Sequence, residues 1–493
     1  MKHILYLFAF LIISLSSLAQ QQENKKISMT IAQVIDIARQ QSPDVLVARH
    51  SFRSSYWNYC YFKANYLPSL SFSSTPNFNH SINVVNSTDG TSKFVQQNQL
   101  ITDGTLSLNQ NIAFTGGTLS LKTSLRRLDL FGDYEGTSYQ TNPITVSYQQ
   151  SLFGYNGLKW DKKIEPLRFE AAKKTYVETL ELVSVRAITR FFNLASAQTN
   201  LEIARTNYAN ADTLYAFAKG RYDIGTITEN EMLQLEINRL NEETSMMNAQ
   251  IDLDNYMQEL RSYLGIKDTS EIEVIVDEKI PELIIDQNLA LQLSLDNSPD
   301  ILTMERRRRE SESSVAYAKA NSGLKADIYA QLGLTQTGEK LSTAYKDPLN
   351  QQYAEIGIRL PILDWGRGKG QVRVARSNRD VVYAQVEQDR TNFEINIVKT
   401  VRQFNLQANK VNVAAKTNYT ANRRNEVARR LYILGKSTIL DLNAAISEKD
   451  SAKRNYINTL YSYWYLYHTL QSMTLYNFEK NIPLTEDYDL LLK

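Results

Sequence analysis

The chain is short of the residues that make cross-linked or helix-spanned membrane proteins. Among 493 residues there is one cysteine, Cys60, so no intramolecular disulfide forms and pairing says nothing of the redox compartment. Glycine and proline number only 19 and 10, and the stretches 167–219, 226–264, 371–434 and 436–482 contain neither. Such stretches favour long uninterrupted helices. Beyond the N-terminus no apolar run approaches the ~18–20 residues of a spanning helix. If the protein sits in a membrane, it must do so as a β-barrel, the other architecture that satisfies every backbone polar group in lipid. An excess of one charge is missing too. Lys and Arg (55) nearly balance Asp and Glu (53), and the resulting +2 creates no field to draw in nucleic acid. HExxH, a paired Cys/His cluster and GxSxG are all absent, which leaves no candidate for metal or nucleophilic catalysis. The reading is a non-enzyme with no cofactor and no metal.

What the chain does have is one long unit written twice. Ser42-Pro43-Asp44 recurs as Ser298-Pro299-Asp300, and Lys63-Ala64-Asn65 as Lys319-Ala320-Asn321. Arg190-Phe191-Phe192-Asn193-Leu194 returns as Arg402-Gln403-Phe404-Asn405-Leu406, and Tyr222-x-x-Gly225 as Tyr432-x-x-Gly435. A duplicated long unit suggests a wall built around an axis rather than a catalytic pocket. Tyr176, Leu180, Val183, Ala187, Phe191 and Leu194 open an apolar series that runs to Leu214 at a mean spacing of about 3.5, the coiled-coil value. Phe393, Ile397, Val401, Phe404, Ala408, Val411 and Ala415 repeat it in the second copy. A helix over 371–434 would be about 96 Å long. Each long helix runs to a glycine, Gly225 or Gly435, and a second helix follows: a helical hairpin, twice.

Between the helices the period changes to two. Leu106, Leu108, Ile112 and Phe114 alternate with polar residues over 104–114, as do Leu119, Leu121 and Leu125 over 117–125, and Ile144, Val146 and Tyr148 over 144–149. The second copy offers Ile328, Ala330, Leu332 and Leu334, then Ala354, Ile356, Ile358 and Leu360. Roughly nine to eleven residues is the length of a membrane-barrel strand, although a half-buried soluble sheet reads the same residue by residue. The N-terminus tips the balance. Lys2 and His3, an apolar run over Ile4–Ile13 and the small-x-small site Ser17-Leu18-Ala19 make 1–19 an expected signal peptide. The 29 tyrosines suit amphipathic walls and membrane interfaces.

At this point the chain resembles the TolC family of outer-membrane efflux ducts, over about 28–478. The resemblance rests on the Ser-Pro-Asp helix starts at Ser42 and Ser298 and the step into the first strand at Leu67-Pro68-Ser69-Leu70. The strand exits Gln150-Ser151-Leu152-Phe153 and Leu360-Pro361-Ile362-Leu363-Asp364-Trp365-Gly366-Arg367 add to it, as do the turns Tyr222/Gly225/Glu231 and Tyr432/Gly435/Asp441. No one motif is specific, but their duplicated order is. The resemblance implies a mostly α fold with a membrane β-barrel part: long coiled-coil hairpins forming a periplasmic α-barrel, plus strands for a barrel shared by a homotrimer. The segments expected are the first repeat at 20–264, an equatorial linker at 265–285, the second repeat at 286–478 and a tail at 479–493. The implied function is a passive exit duct in the cell outer membrane, for tripartite efflux or type I secretion. Its partners are outer-membrane lipid, a periplasmic adaptor (membrane fusion) protein and an inner-membrane pump of RND or ABC type.

The resemblance also implies roles at the turns. Gly225, Gly435, Ile224, Leu434, Thr226 and Lys436 would meet the adaptor, and Tyr222, Tyr432, Glu231 and Asp441 would form a gate or constriction. Early-turn helix chemistry would place acids at 231 and 441 equally well. Ala444 stands where some relatives carry a second acid after Asp441. The family expectation is four strands per chain. The first copy, however, carries 46 more residues between its helices than the second (65–150 against 321–360), and 104–127 reads as an added hairpin beside those four, with full inclusion in the barrel as the alternative. An autonomous porin would need many more strands and no duplicated heptads; an exported coiled-coil scaffold would need no strands.

Overall fold

The computed structural model describes residues 26–86, 88, 90–132, 135–267, 271–434 and 436–492; the expected signal segment 1–19 and Gly435 lie outside them. After β1 (Lys26–Thr30) come α1 (Ile31–Gln41) and α2 (Pro43–Ala64). Five strands follow: β2 (Ser69–Ser73), β3 (Asn77–Asn86), β4 (Ser92–Ile112), β5 (Gly117–Phe131) and β6 (Gly136–Ser151). The hairpin α3 (Gly157–Asp223) and α4 (Glu229–Tyr263) closes the first copy, and β7 (Glu271–Ile275) leads into the second. There, α5 (Gln287–Asn297) and α6 (Pro299–Ser322) precede β8 (Lys325–Gly338), the one-turn α7 (Leu341–Ala344) and β9 (Leu349–Arg359). The hairpin α8 (Arg367–Ile433) and α9 (Ile439–Thr474) is followed by β10 (Tyr476–Asn477), β11 (Ile482–Pro483) and α10 (Tyr488–Leu492).

In the helices the duplication holds almost to the residue. Helices α1 and α5 each have 11 residues, and α3 and α8 each have 67. The recurrent Ser-Pro explains the shared break between the paired short helices. Ser42 and Ser298 are extended (ψ 149° and 138°), the conformation that a following proline imposes, and that proline then opens the next helix. Helix α3 is longer than its glycine- and proline-free stretch indicated, because it carries Pro166 and Gly220 within it.

The chain folds as two compact units that cut across the repeats. The helical unit takes the described parts of 1–53, 173–299 and 392–493. Its core contains the predicted apolar seams, with Val183, Phe191 and Leu194 on α3 and Ile397 and Phe404 on α8 buried, and adds Ile188 on α3 and Leu460, Tyr463 and Leu470 on α9. Each such side chain contributes about 1.5–3 kcal/mol. Lateral contacts fix the helix order. Helix α3 meets α4 through Leu201, Ala204 and Ala249 and through Arg205 to Gln250 (3.0 Å). It meets α9 through Asn207 to Asp450 and Arg454 to Asn200, both 2.9 Å. Helix α9 meets α8 where Gln407 donates to the Thr459 carbonyl (3.1 Å). The order is therefore α4–α3–α9–α8. The 265–285 segment is tied into this unit: β7 pairs parallel with β1, Tyr463 donates to the Pro281 carbonyl (2.6 Å), and Asn405 bonds both backbone groups of Ile285 (3.0 and 2.9 Å).

The sheet unit comprises 54–172 and 300–391. Its antiparallel sheet has the order β2-β4-β5-β6-β8-β9, with β3 pairing β4 beyond the end of β2. The strands differ from expectation in extent. Strand β4 runs over 21 residues, back to Ser92, and β2 and β3 precede it. Strand β3 does alternate, with Phe78, Ile82 and Val84 set against Asn77, Asn79, Ser81 and Asn83, and the sequence reading passed over it. The expectation for 104–127 is corrected. That segment forms the C-terminal part of β4 and most of β5, which pair with each other through fifteen residues from Asn98↔Phe131 to Ile112↔Gly117 and lie inside the sheet, not beside it. The diglycine Gly116-Gly117 makes this insertion feasible, since Gly116 turns at φ +78°.

The four consecutive arginines Arg306–Arg309 lie on a salt-bridged stretch of α6. Arg306 bonds Glu310 and Arg309 bonds Glu305, each at 2.8 Å, and Arg307 reaches Asp389 at 2.6 Å.

Candidate functional site

Two surfaces carry the chemistry, one in each unit. In the sheet, register sorts side chains into two faces. One face carries Leu70 and Phe72 on β2, Leu106 and Leu108 on β4, and Leu119 and Leu121 on β5, then Val146 on β6, Leu332 on β8, and Ile356 and Ile358 on β9. All of them are exposed. The opposite face carries Ser69, Ser71 and Ser73, Thr105, Ser107 and Asn109, Ser120 and Lys122, Thr145 and Ser147, Gln331, Tyr353 and Glu355. The apolar face is thus open and continuous, while Ser120, Thr145 and Ser147 on the polar face are buried. A soluble sheet does the reverse. Apolar out and polar in is the pattern of a barrel strand in lipid. Among the described residues, no helix is long and apolar enough to cross a membrane.

The sheet does not close on itself. Its terminal strands, β2 with β3 at one edge and β9 at the other, each have one unpaired side. Six antiparallel columns make these two edges run in opposite directions, so the β9 edge of one copy can pair antiparallel with the β2 edge of another. Lipid does not tolerate an open edge.

The second surface is the pair of turns in the helical unit. At the first, α3 ends as the sequence requires. Gly225 takes φ +74° and donates to the Tyr222 carbonyl (2.8 Å), and Thr226 donates to the Arg221 carbonyl (2.9 Å), the two bonds of a Schellman ending. Thr228 then starts α4 in a capping box: its N–H and hydroxyl donate to Glu231 Oε2 (2.9 and 3.1 Å), and the Glu231 N–H donates to the Thr228 hydroxyl oxygen. The described residues of the second turn make similar bonds. Leu434 donates to the Arg430 carbonyl (3.1 Å) and Lys436 to the Leu431 carbonyl (2.9 Å). Thr438 donates to Asp441 Oδ2 from its N–H (3.2 Å) and hydroxyl (2.6 Å). These bonds from Thr228 and Thr438 hold both carboxyls below their usual range, so both acids are charged at neutral pH.

Each turn therefore brings its tyrosine and acid close to the reversal. Ile224 (74%) and Leu434 (67%) stand exposed at the turns, and Thr226 and Lys436 are exposed as well. Among the described residues, neither the Tyr222 nor the Tyr432 hydroxyl has a hydrogen-bond partner within the chain. The capping role of Glu231 and Asp441 is legible as Thr-x-x-Glu and Thr-x-x-Asp. Sequence reasoning missed the flanks of the helical layer. On α4, Leu233, Ile237, Leu240, Met247 and Ile251 recur at steps of four, three, seven and four and lie exposed. Leu406, Val413 and Val427 do so at multiples of seven on α8. The missed signal was a second heptad stripe beside the seam already recognised. Among the described residues, no group of three or more His, Cys, Asp or Glu could hold a metal ion.

Comparison with known proteins agrees with this geometry. The family model described as Outer membrane efflux protein matches residues 34–266 and 290–474, one block in each repeat. No curated protein sequence matches the chain. Among solved structures it is similar to the CmeC outer membrane channel of Campylobacter jejuni, with 16% identity and a TM-score of 0.65 over 93% of this chain and 88% of that one. The outer membrane protein VceC of Vibrio cholerae is similar at 14% identity and TM-score 0.61, over 90% and 95%. The open-state MtrE channel of Neisseria gonorrhoeae follows at 13% and 0.60, over 93% and 90%. At these identities the likeness shows a shared fold.

Proposed function

Starting from the chain's membership of the outer membrane efflux protein family, whose members are outer-membrane exit ducts, we propose that three copies assemble into one passive duct. The observation that carries this reading is incompleteness at both surfaces. The sheet has two unpaired edges and a bare apolar face, and the helical layer has bare heptad stripes on its two outer helices, α4 and α8. Head-to-tail rotation about one axis pairs the edges and the stripes at once, since each copy offers one edge and one stripe of each kind, and leaves the apolar face to lipid. The polar face of the sheet then lines a water-filled lumen, and the helical part lies in the periplasm.

The turns take the roles of coupling and closure in this reading. Ile224, Gly225 and Thr226, with Leu434, Gly435 and Lys436, meet a periplasmic adaptor protein, which links the duct to an inner-membrane pump of RND or ABC type. Glu231 and Asp441, each repeated three times around the axis, make a cation-preferring constriction, because like charges so close need hydration or a counter-ion. Tyr222 and Tyr432, whose hydroxyls have no hydrogen-bond partner among the described residues, bond between neighbouring hairpins in the closed state. In the sequence, the working parts correspond to a repeat at 20–264 and a repeat at 286–478.

Extraction of the protein from outer membranes in mild detergent, followed by light scattering and planar-bilayer recording, tests the reading. Particles of three chains that conduct ions are expected. A stable, non-conducting monomer would sink it.

A further inference from the structure

The sheet has more columns than the four per chain that the family resemblance implies. We infer that all six columns of each chain are lipid-facing wall, so that the assembled barrel has eighteen strands. The count of eighteen rests on the three-copy reading above; the count of six does not.

The first support is position. Strands β4 and β5 are interior columns: β4 is held by β2 and β3 on one side and β5 on the other, and β5 is held by β4 and β6. They cannot fold out of the wall without breaking the ladders to β2 and β6, whose register runs from Ser69↔Asn109 to Ser73↔Thr105 and from Thr118↔Gln149 to Leu130↔Gly136. The second support is chemistry. Leu106 and Leu108 on β4 and Leu119 and Leu121 on β5 stand on the same face as Val146, Leu332 and Ile356, and like them are exposed. A hairpin lying in the lumen or above the membrane would have no use for that stripe. The third is parity. Four columns from the first copy and two from the second give an even number, which keeps the junctions between copies antiparallel.

Barrel diameter grows nearly in proportion to strand number, so eighteen strands give a mouth about half again as wide as twelve, in the range where porins leave an open aqueous channel. The lining from the inserted columns is largely hydrogen-bonding: Thr105, Ser107, Asn109, Ser120 and Ser124 share it with Lys122 and with Asp103 and Arg126, opposite charges that face each other across the ladder. Such a wall neither binds an apolar solute nor selects strongly by charge. The membrane part of this duct is therefore a wide, unselective exit, and any constriction must be elsewhere.

Contact with lipid tests the column count. In a Cys60→Ser background, single cysteines from Leu106→Cys, Leu121→Cys and Leu332→Cys would carry an environment-sensitive fluorophore. Ser107→Cys and Lys122→Cys would report the other face. The protein would be reconstituted in phosphatidylcholine vesicles containing nitroxide-labelled phosphatidylcholine. Quenching at 106 and 121 to the same several-fold extent as at 332, with little at 107 and 122, is expected. Quenching at 332 but not at 106 and 121 would overturn the inference, since the inserted hairpin would then be outside the wall. Native mass spectrometry of the same samples gives the copy number. Three chains with six quenched columns supports eighteen strands, and any other copy number overturns that total through the trimer reading alone. A mutant that fails to fold is recognised by its missing oligomer, and Leu119→Cys then replaces Leu121→Cys as the reporter on the same strand.

Discussion

The Arg39 guanidinium donates to Glu181 Oε1 at 2.7 Å across 142 residues of chain, and His468 Nδ1 lies 3.5 Å from the other carboxylate oxygen. Glu181 is 1% exposed, so three helices (α1, α3 and α9) share one buried charge cluster. Burial alone would raise the Glu181 carboxyl, but the His468 and Arg39 contacts outweigh it and hold it below the usual range. A depressed carboxyl stabilises the fold fully above its unfolded pKa of about 4.3, and that contribution is lost as pH falls through the lower folded value. Glu181→Gln is expected to cost about 3 kcal/mol at neutral pH by removing the carboxylate that faces Arg39 and His468, although Arg39 keeps Glu486 at 3.4 Å. The deficit against the parent should shrink in acid, where the parent loses the same carboxylate. Thermal melts followed by circular dichroism between neutral and acidic pH check this; an unchanged melt at pH 7 would contradict it.

The bare stripes on α4 and α8 make an assembly prediction. Ile237 (59% exposed) and Val413 (65%) are surface residues in one chain but buried seam residues in the proposed ring. Ile237→Asp or Val413→Asp would put an unpaired charge in an apolar seam, a change costing several kcal/mol per copy. Loss of the trimer without loss of helix content is expected by light scattering and circular dichroism. Asn241→Asp, exposed on the same helix as Ile237, should leave copy number unchanged. Trimers of normal stability in both seam variants would show that these stripes do not meet.

Gate and cap can be separated at the second turn, where Asp441 Oδ2 accepts from Thr438. Thr438→Val removes the cap and should cost about 1 kcal/mol, but it keeps the charge. Asp441→Asn keeps an acceptor for the cap and removes the charge. If the acid shapes a constriction, Asp441→Asn weakens block by divalent cations added on the turn side of a bilayer and Thr438→Val does not. Equal block in both variants would reduce Asp441 to a helix starter. Tyr432→Phe in the same recordings should raise conductance if the hydroxyl bonds a neighbouring hairpin.

Much of this molecule was legible in its sequence for a physical reason. Long helices announce themselves through repeated heptads and missing glycines, and the seam read from Tyr176 to Leu214 is indeed largely the buried stripe of α3. The turns were placed by Gly225, whose positive φ no other residue type adopts cheaply. What escaped notice was set by partners rather than by pattern. Nothing local in 104–127 says whether its two strands join the sheet or stand apart; only the ladders to β2 and β6 decide it. Likewise Arg39, Glu181 and His468 are ordinary charged residues until three distant helices bring them together. The carboxylates at the turns had two readings because one Thr-x-x-acid arrangement serves both.

The last prediction concerns the turn glycines. An added Cβ at Gly225 would meet no atom within 4 Å, so nothing obstructs a side chain there, and the penalty lies in φ +74° alone. Forcing an L-residue into that conformation costs about 1–2 kcal/mol, too little to unfold a helical layer of this size. Gly225→Val should therefore leave a trimer that conducts, while changing the shape of the exposed Ile224–Thr226 reversal that the proposed adaptor contact requires. Gly220 provides the control. It is inside α3 with equally open space around it, and Gly220→Ala should be neutral or stabilise by up to about 1 kcal/mol because it relieves helix entropy without touching the turn. Export in cells and copurification of an adaptor-type partner should fall in Gly225→Val and persist in Gly220→Ala, with bilayer conductance similar in both. If Gly225→Val instead exports normally, the adaptor contact is not at this turn. If its conductance and export fail together, the turn holds the wall rather than the partner.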